Sequence, residues 1–178
     1  MNLKALLVSL QKYEAHGPLD VEITGLSYDS KKVQKGNLFA ALPGVRFHGS
    51  QFLSEAERSG AAAVLTDRQL KTNLTQVIVQ NARLSLALLS AVFHSNPSHQ
   101  LRLFGVTGTN GKTTSTFLLR SILSEASMRT GLVGTIQYCG AGSTMASTLT
   151  TPESLDLQRL LGAMVADGCE ACVIEVSS

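Results

Sequence analysis

The sequence predicts an α/β protein: a small N-terminal α/β domain followed by a phosphate-loop-type domain built on a parallel sheet. Three observations carry this. Short runs rich in β-branched residues alternate with segments of helical period along the first hundred residues. Beyond them the rhythm becomes βαβαβ, with strands apolar on both faces, as a sheet covered by helices on each side requires. At the head of that second region stands "GVTGTNGKTTS", residues 105–115, a glycine-rich turn between an apolar run and a helix-like segment.

Taken in order, Leu3, Leu6, Leu7 and Leu10 fall at helical spacing and predict an amphipathic N-terminal helix. "DVEITGLSYDS" reads as a strand ending in a turn, and "GNLFAAL" as a second strand. "SQFLSEAERSG" reads as a helix capped by Ser50 and stopped by Gly60. "AAAVLTD" and "QVIVQ" are buried-strand candidates. "NARLSLALLSAVFHSNP" is a helix capped by Asn81 and ended by Asn96-Pro97. The boundary falls there, giving domains 1–98 and 99–178. In the second, "LRLFGVTG" is a strand, "KTTSTFLLRSILSEA" a helix, "TGLVGTIQY" a single strand and "CGAGSTMAS" a flexible stretch. "PESLDLQRLLGAMVADG" is a helix with Pro152 in its first turn, where a missing N–H costs nothing. "CEACVIEVSS" is the last strand, expected at an unpaired sheet edge.

The chain has 178 residues, 44% of them apolar, and a net charge of +2 with its basic residues scattered. That is too apolar for a disordered tail and too neutral for a broad nucleic-acid footprint. No apolar run approaches the ~20 residues of a membrane helix. The N-terminal segment lacks a small-residue cleavage site, so a cytoplasmic protein without membrane insertion is expected. Cys139, Cys169 and Cys172 cannot make a complete disulfide framework, and the C-x-x-C of the last two leads into a strand, unlike a redox pair. The four histidines form no second ligand cluster, so the cysteines read as ordinary buried thiols.

The chemistry lies in the glycine loop. A strand, a glycine turn and a helix N-terminus present inward-facing N–H groups and a favourable dipole to an anion. Gly108 and Gly111 let the backbone approach a phosphate without a Cβ in the way. Lys112 adds charge for the outer phosphates, and Thr113 a hydroxyl of the kind that ligates Mg²⁺. The spacing departs from the strict G-x-x-x-x-G-K-[ST] pattern, since residue 106 is valine; the loop is a shorter variant, G-T-N-G-K-T. A dinucleotide-binding G-x-G-x-x-G is absent. Glu175, on a strand expected to be buried, is an expensive carboxylate to leave unpaired and lies where ligands collect, at the carboxyl edge of parallel strands. Thr150 and Thr151 in "STLTTPES" read first as helix caps; hydroxyls at a helix N-terminus also bind anions.

"GVTGTNGKTT", "TTPES" and "EVSS", in this order and spacing, together with "SYDSKKVQKGNLFAALPGVRFHGSQF", resemble the Mur ligase family, and specifically its MurE type. The resemblance covers essentially the whole chain and makes the first domain a uridine-nucleotide-binding one. It implies an ATP-dependent amide ligase of peptidoglycan synthesis that adds a diamino acid, meso-diaminopimelate rather than L-lysine, to UDP-N-acetylmuramoyl-L-alanyl-D-glutamate. Lys112 would be catalytic, with Gly108, Thr109, Asn110, Gly111, Thr113 and Thr114 completing the ATP site. Thr113 and Glu175 would ligate Mg²⁺. Tyr28, Ser30, Val45, Arg46 and Phe47 would contact the uridine diphosphate, and Thr150, Thr151 and Ser177 the muramoyl dipeptide. Leu149 stands where many relatives carry asparagine. The resemblance also implies small-molecule substrates, a monomer, and a chain that is an incomplete portion of a ligase, unable to form the amide bond alone. A cyanophycin-synthetase-like ligase and a non-catalytic nucleotide-binding module are the other readings compatible with the loop.

Overall fold

The computed structural model describes the chain except residues 45, 141–143, 148 and 178. It separates into two compact units, Met1–Phe93 and His94–Ser178. Each carries its own five-stranded sheet.

In the first unit the sheet order is β1-β5-β4-β3-β2. Its strands are β1 (Glu14–His16), β2 (Gly25–Ser27), β3 (Asn37–Ala40), β4 (Ala63–Thr66) and β5 (Thr75–Ile78). The strands β2 to β5 run parallel to their neighbours, and β1 closes the edge antiparallel to β5. The sequence misses β1 because an edge strand pairs through its backbone, and "EAH" carries no apolar alternation. The N-terminal helix is shorter than its periodicity suggests: α1 (Leu3–Leu6) passes into a 3₁₀ turn at Leu7–Ser9. Its four leucines are nevertheless all buried, as their spacing requires.

The helix expected from residue 50 is also divided. A 3₁₀ turn (Gly49–Phe52) leads into α2 (Leu53–Arg58), and His48, rather than Ser50, supplies the cap by accepting the Ser50 N–H. Gly60, at φ +89°, ends the segment in a left-handed conformation that a side chain would strain. The Ala56, Leu53, Phe39 and Val64 side chains form the core on this face. The next helix, α3 (Ala82–Phe93), is capped as expected: Asn81 Oδ1 accepts the Leu84 N–H at 2.9 Å.

The second unit's sheet has the order β6-β10-β7-β8-β9. Here β6 (Arg102–Val106), β10 (Ala171–Glu175) and β7 (Thr130–Val133) are parallel, with α4 (Lys112–Glu125) and α5 (Ser154–Ala166) covering opposite faces. Two expectations fail. "TGLVGTIQY" is not one strand: the chain turns after Gly134, whose N–H meets Gln137 O, and returns as β8 (Gln137–Cys139), antiparallel to β7. Within the stretch expected to be flexible, Thr144–Ala146 forms β9 against β8; residues 141–143 lie outside the described residues. A run of strand-forming residues conceals a tight reversal, because local composition does not show where backbone pairing turns the chain.

The last strand is also not at an edge. Neighbours flank β10 on both sides, and its five residues are all buried; β6 and β9 form the edges instead. All three cysteines are free and buried, and burial, with Cys169 close by, pushes the Cys172 thiol up to about 12. These are packing residues.

Candidate functional site

The carboxyl ends of β6, β10 and β7 define one edge of the second unit, and the glycine loop rises from it. Gly108 (φ +146°) and Gly111 (φ +75°) both occupy backbone regions that side chains rarely adopt. Gly111 is the N-cap of α4 and offers no side-chain capping bond, so the first N–H groups of the helix stay available to a ligand. Thr109, Asn110 and Thr114 are exposed. Lys112 folds back and donates from Nζ to Gly108 O at 2.7 Å.

Glu175 is the anchor. It is 2% exposed, and its oxygens lie 3.0 and 3.2 Å from Thr113 Oγ1, 62 residues away in the chain. The Thr135 N–H donates to Oε2 at 3.1 Å. Burial is the strongest single influence and pushes the carboxyl pKa up. The Thr135 N–H, the hydroxyls of Thr113 and Thr135 and the charge on Lys112 together outweigh it, so the group is held below its ordinary value. It is therefore an anion at neutral pH. Gly134 makes room for it: a Cβ at that position would stand 3.1 Å from Glu175 Oε2.

The threonine pair meets the same edge. Thr151 Oγ1 donates to the backbone oxygen of Glu175 at 3.0 Å and accepts the Ser177 N–H at 2.9 Å. Ser177 Oγ is 3.1 Å from the same hydroxyl, and Thr150 Oγ1 lies 3.0 Å from Thr135 Oγ1. Neither threonine caps α5; Glu153 does, accepting the Ser154 N–H. The cap reading is therefore corrected, and the hydroxyls are turned to the strand ends. Tyr138 Oη donates to Leu149 O at 2.6 Å and accepts the Leu149 N–H at 3.1 Å, so one hydroxyl satisfies both backbone groups before the pair. Thr135 and Tyr138 carry no local sequence signal; strand pairing alone brings them here.

The donor set suits a hard divalent cation. A hydroxyl and an ionised carboxylate are oxygen ligands, and Mg²⁺ typically takes one or two carboxylates with phosphate oxygens and water. Among the described residues no group of three or more His, Cys, Asp or Glu side chains could hold a metal by itself.

In the first unit the uridine candidates are less uniform. Ser30 is 6% exposed and donates its hydroxyl to Glu55 Oε2 at 2.5 Å, so it faces α2 rather than open space. Tyr28 is half-buried, Arg46 and Phe47 are exposed, and Val45 lies outside the described residues. Sequence reasoning passed over His48. Its Nδ1 accepts the Ser50 N–H, which puts the proton of the neutral ring on Nε2, 3.1 Å from Asp67 Oδ1. The Arg68 guanidinium, opposed by burial and aided by His48, holds the Asp67 carboxyl below its usual value.

The chain matches two family models: "Mur ligase family, catalytic domain" over residues 22–98 and "Mur ligase middle domain" over residues 106–178. It is 43% identical over 169 residues to the UDP-N-acetylmuramoyl-L-alanyl-D-glutamate--2,6-diaminopimelate ligase of Caldanaerobacter subterraneus subsp. tengcongensis, covering 94% of this chain and 35% of that protein. With the corresponding ligase 1 of Clostridium acetobutylicum it shares 41% over 180 residues, covering 100% and 37%. Among solved structures, a UDP-N-acetylmuramoyl-L-alanyl-D-glutamate--2,6-diaminopimelate ligase superposes with a TM-score of 0.79 at 23% identity, covering 99% of this chain and 36% of the other. The MurF ligase of Thermotoga maritima, solved in complex with ADP, superposes at 0.61 with 24% identity, covering 88% and 32%. The chain thus spans little more than a third of the length of these relatives.

Proposed function

Since this chain belongs to the Mur ligase family, we propose that it supplies the uridine-nucleotide-binding and ATP-binding parts of a ligase joining 2,6-diaminopimelate to UDP-N-acetylmuramoyl-L-alanyl-D-glutamate. The observation that carries this reading is the Thr113–Glu175 pair beside a glycine loop that opens a helix with Lys112. The Caldanaerobacter and Clostridium relatives, at 43% and 41% identity, are named for that reaction.

In the proposed reaction the side-chain carboxylate of D-glutamate attacks the γ-phosphorus of ATP, ADP leaves, and an acyl phosphate forms. An amine of diaminopimelate then attacks the acyl carbon and expels phosphate, leaving the amide. The loop N–H groups at the start of α4 hold the phosphates, and Lys112 exchanges Gly108 O for the transferring group, where its charge acts on the transition state. Thr113 and Glu175 would hold Mg²⁺, which would supply positive charge to offset that of the phosphates. Thr150, Thr151 and Ser177 orient the acyl end of the substrate. In the first unit Tyr28, Arg46, Phe47 and the buried Ser30 turn form the uridine side. The protein is proposed to act as a cytoplasmic monomer on small-molecule substrates; no helix among the described residues is long and apolar enough to cross a membrane.

Calorimetry of the chain with Mg²⁺ and a non-hydrolysable ATP analogue tests the reading. Saturable binding that Lys112→Ala abolishes is the expected result; equal binding by the variant would remove the loop from the nucleotide site.

A further inference from the structure

Two groups of functional side chains share the carboxyl edge of the second sheet; Glu175 meets the second through its backbone oxygen, which accepts from Thr151 at 3.0 Å, and Thr135 touches both. Thr135 gives its amide hydrogen to Glu175 Oε2 at 3.1 Å, while its hydroxyl lies 3.0 Å from that of Thr150. The carboxylate belongs to the side that meets Thr113 and the loop; Thr150 belongs to the segment that Thr151, Ser177 and Tyr138 hold against the strand ends. We propose that Thr135 is a positioning residue that couples nucleotide binding to the placement of the acyl substrate, a role that rests on the function proposed above.

The geometry favours coupling over simple support. Thr135 is exposed, so water could satisfy its hydroxyl, and the Thr150 contact is not required to bury a polar group. Its backbone position is fixed by the turn between β7 and β8, next to Gly134, whose missing Cβ lets the carboxylate sit against the turn. Any ligand that draws Glu175 toward the loop therefore pulls on the Thr135 amide, and the hydroxyl of the same residue transmits that shift to Thr150. Hydrogen bonds in series of this kind strengthen when a ligand displaces water from around them.

The test measures the affinity of the 178-residue chain for UDP-N-acetylmuramoyl-L-alanyl-D-glutamate by calorimetry, with and without a saturating Mg²⁺–ATP analogue. In the unaltered chain the nucleotide should shift that affinity about fivefold or more, the lower range of ordinary site-to-site coupling. Thr135→Val keeps the amide and the shape but removes the hydroxyl, and should abolish the shift while both ligands still bind; Thr135→Ser should restore it. Thr135→Ala also removes the hydroxyl while keeping the amide, should have the same effect, and carries the test if the valine at 135 does not fold. A shift that persists in Thr135→Val or Thr135→Ala, or that is absent from the unaltered chain although both ligands bind, overturns the coupling role. Failure of the unaltered chain to bind either ligand overturns the functional reading instead.

Discussion

Glu175 shows how a costly residue is made tolerable. A carboxylate 2% exposed would ordinarily be driven toward its neutral form, yet donors from α4 and from the β7–β8 turn keep it charged. Because its folded pKa lies below the ordinary value, its contribution to stability is present above the usual carboxylate range and is lost as pH falls through the folded value. We expect the melting temperature of the chain to drop below about pH 4, near the ordinary carboxylate range. Glu175→Gln should lack part of that drop, and parallel acid titrations of the two proteins would reveal its absence. The cysteines give a second expectation at this scale. With the Cys172 thiol pushed up to about 12 and all three side chains buried, iodoacetamide should leave the native chain unlabelled. Mass spectrometry before and after unfolding decides it; rapid labelling of the native chain would contradict the burial.

The element that matters most is the reversal between β7 and β8. It places Thr135 against Glu175 and Tyr138 against Leu149, and it depends on glycine at 134. Gly134→Ala puts a methyl group 3.1 Å from the carboxylate oxygen, so either the turn or the carboxylate has to give by a few tenths of an ångström. We expect a stability loss of about 1–3 kcal/mol, the range for overpacking a tight site, with weakened Mg²⁺–nucleotide binding. Denaturant unfolding and calorimetry would show both, and a variant with unchanged binding would mean that the carboxylate is free to move. The cap of α3 is a simpler case. Asn81→Ala leaves the Leu84 N–H without its side-chain acceptor and should cost about 1 kcal/mol in the same unfolding assay, whereas no loss would mean that water serves as well.

At the scale of the molecule, the second unit exposes several large apolar side chains. Among the described residues β6 stands at the end of the sheet order with Leu103 exposed, and α4 shows Leu118 and Ile122 to solvent. An open, apolar strand edge invites association with another chain. Leu103→Lys should therefore raise the concentration at which the chain stays dispersed, without lowering its melting temperature, as light scattering and thermal melts would show. Unchanged aggregation would place the sticky surface elsewhere.

The sequence alone determined a good deal. The alternation of strand and helix, the leucine spacing of α1, the Asn81 cap, and the loop with its flanking strand and helix were legible because they depend on local periodicity and on residue types with narrow conformational roles. Gly108 and Gly111 ahead of Lys112 stand out in the sequence as positions of special backbone, and both adopt positive φ, +146° and +75°. The tertiary structure decided the rest: that Thr113 meets Glu175, that the threonine pair serves the strand ends while Glu153 caps α5, that Ser30 turns inward, and that β10 is central. Strand order and register join residues 15 to 62 positions apart, as with Thr135 and Thr150 or Thr113 and Glu175. Such contacts arise from burial and backbone pairing across the whole sheet, which no local window of residues encodes.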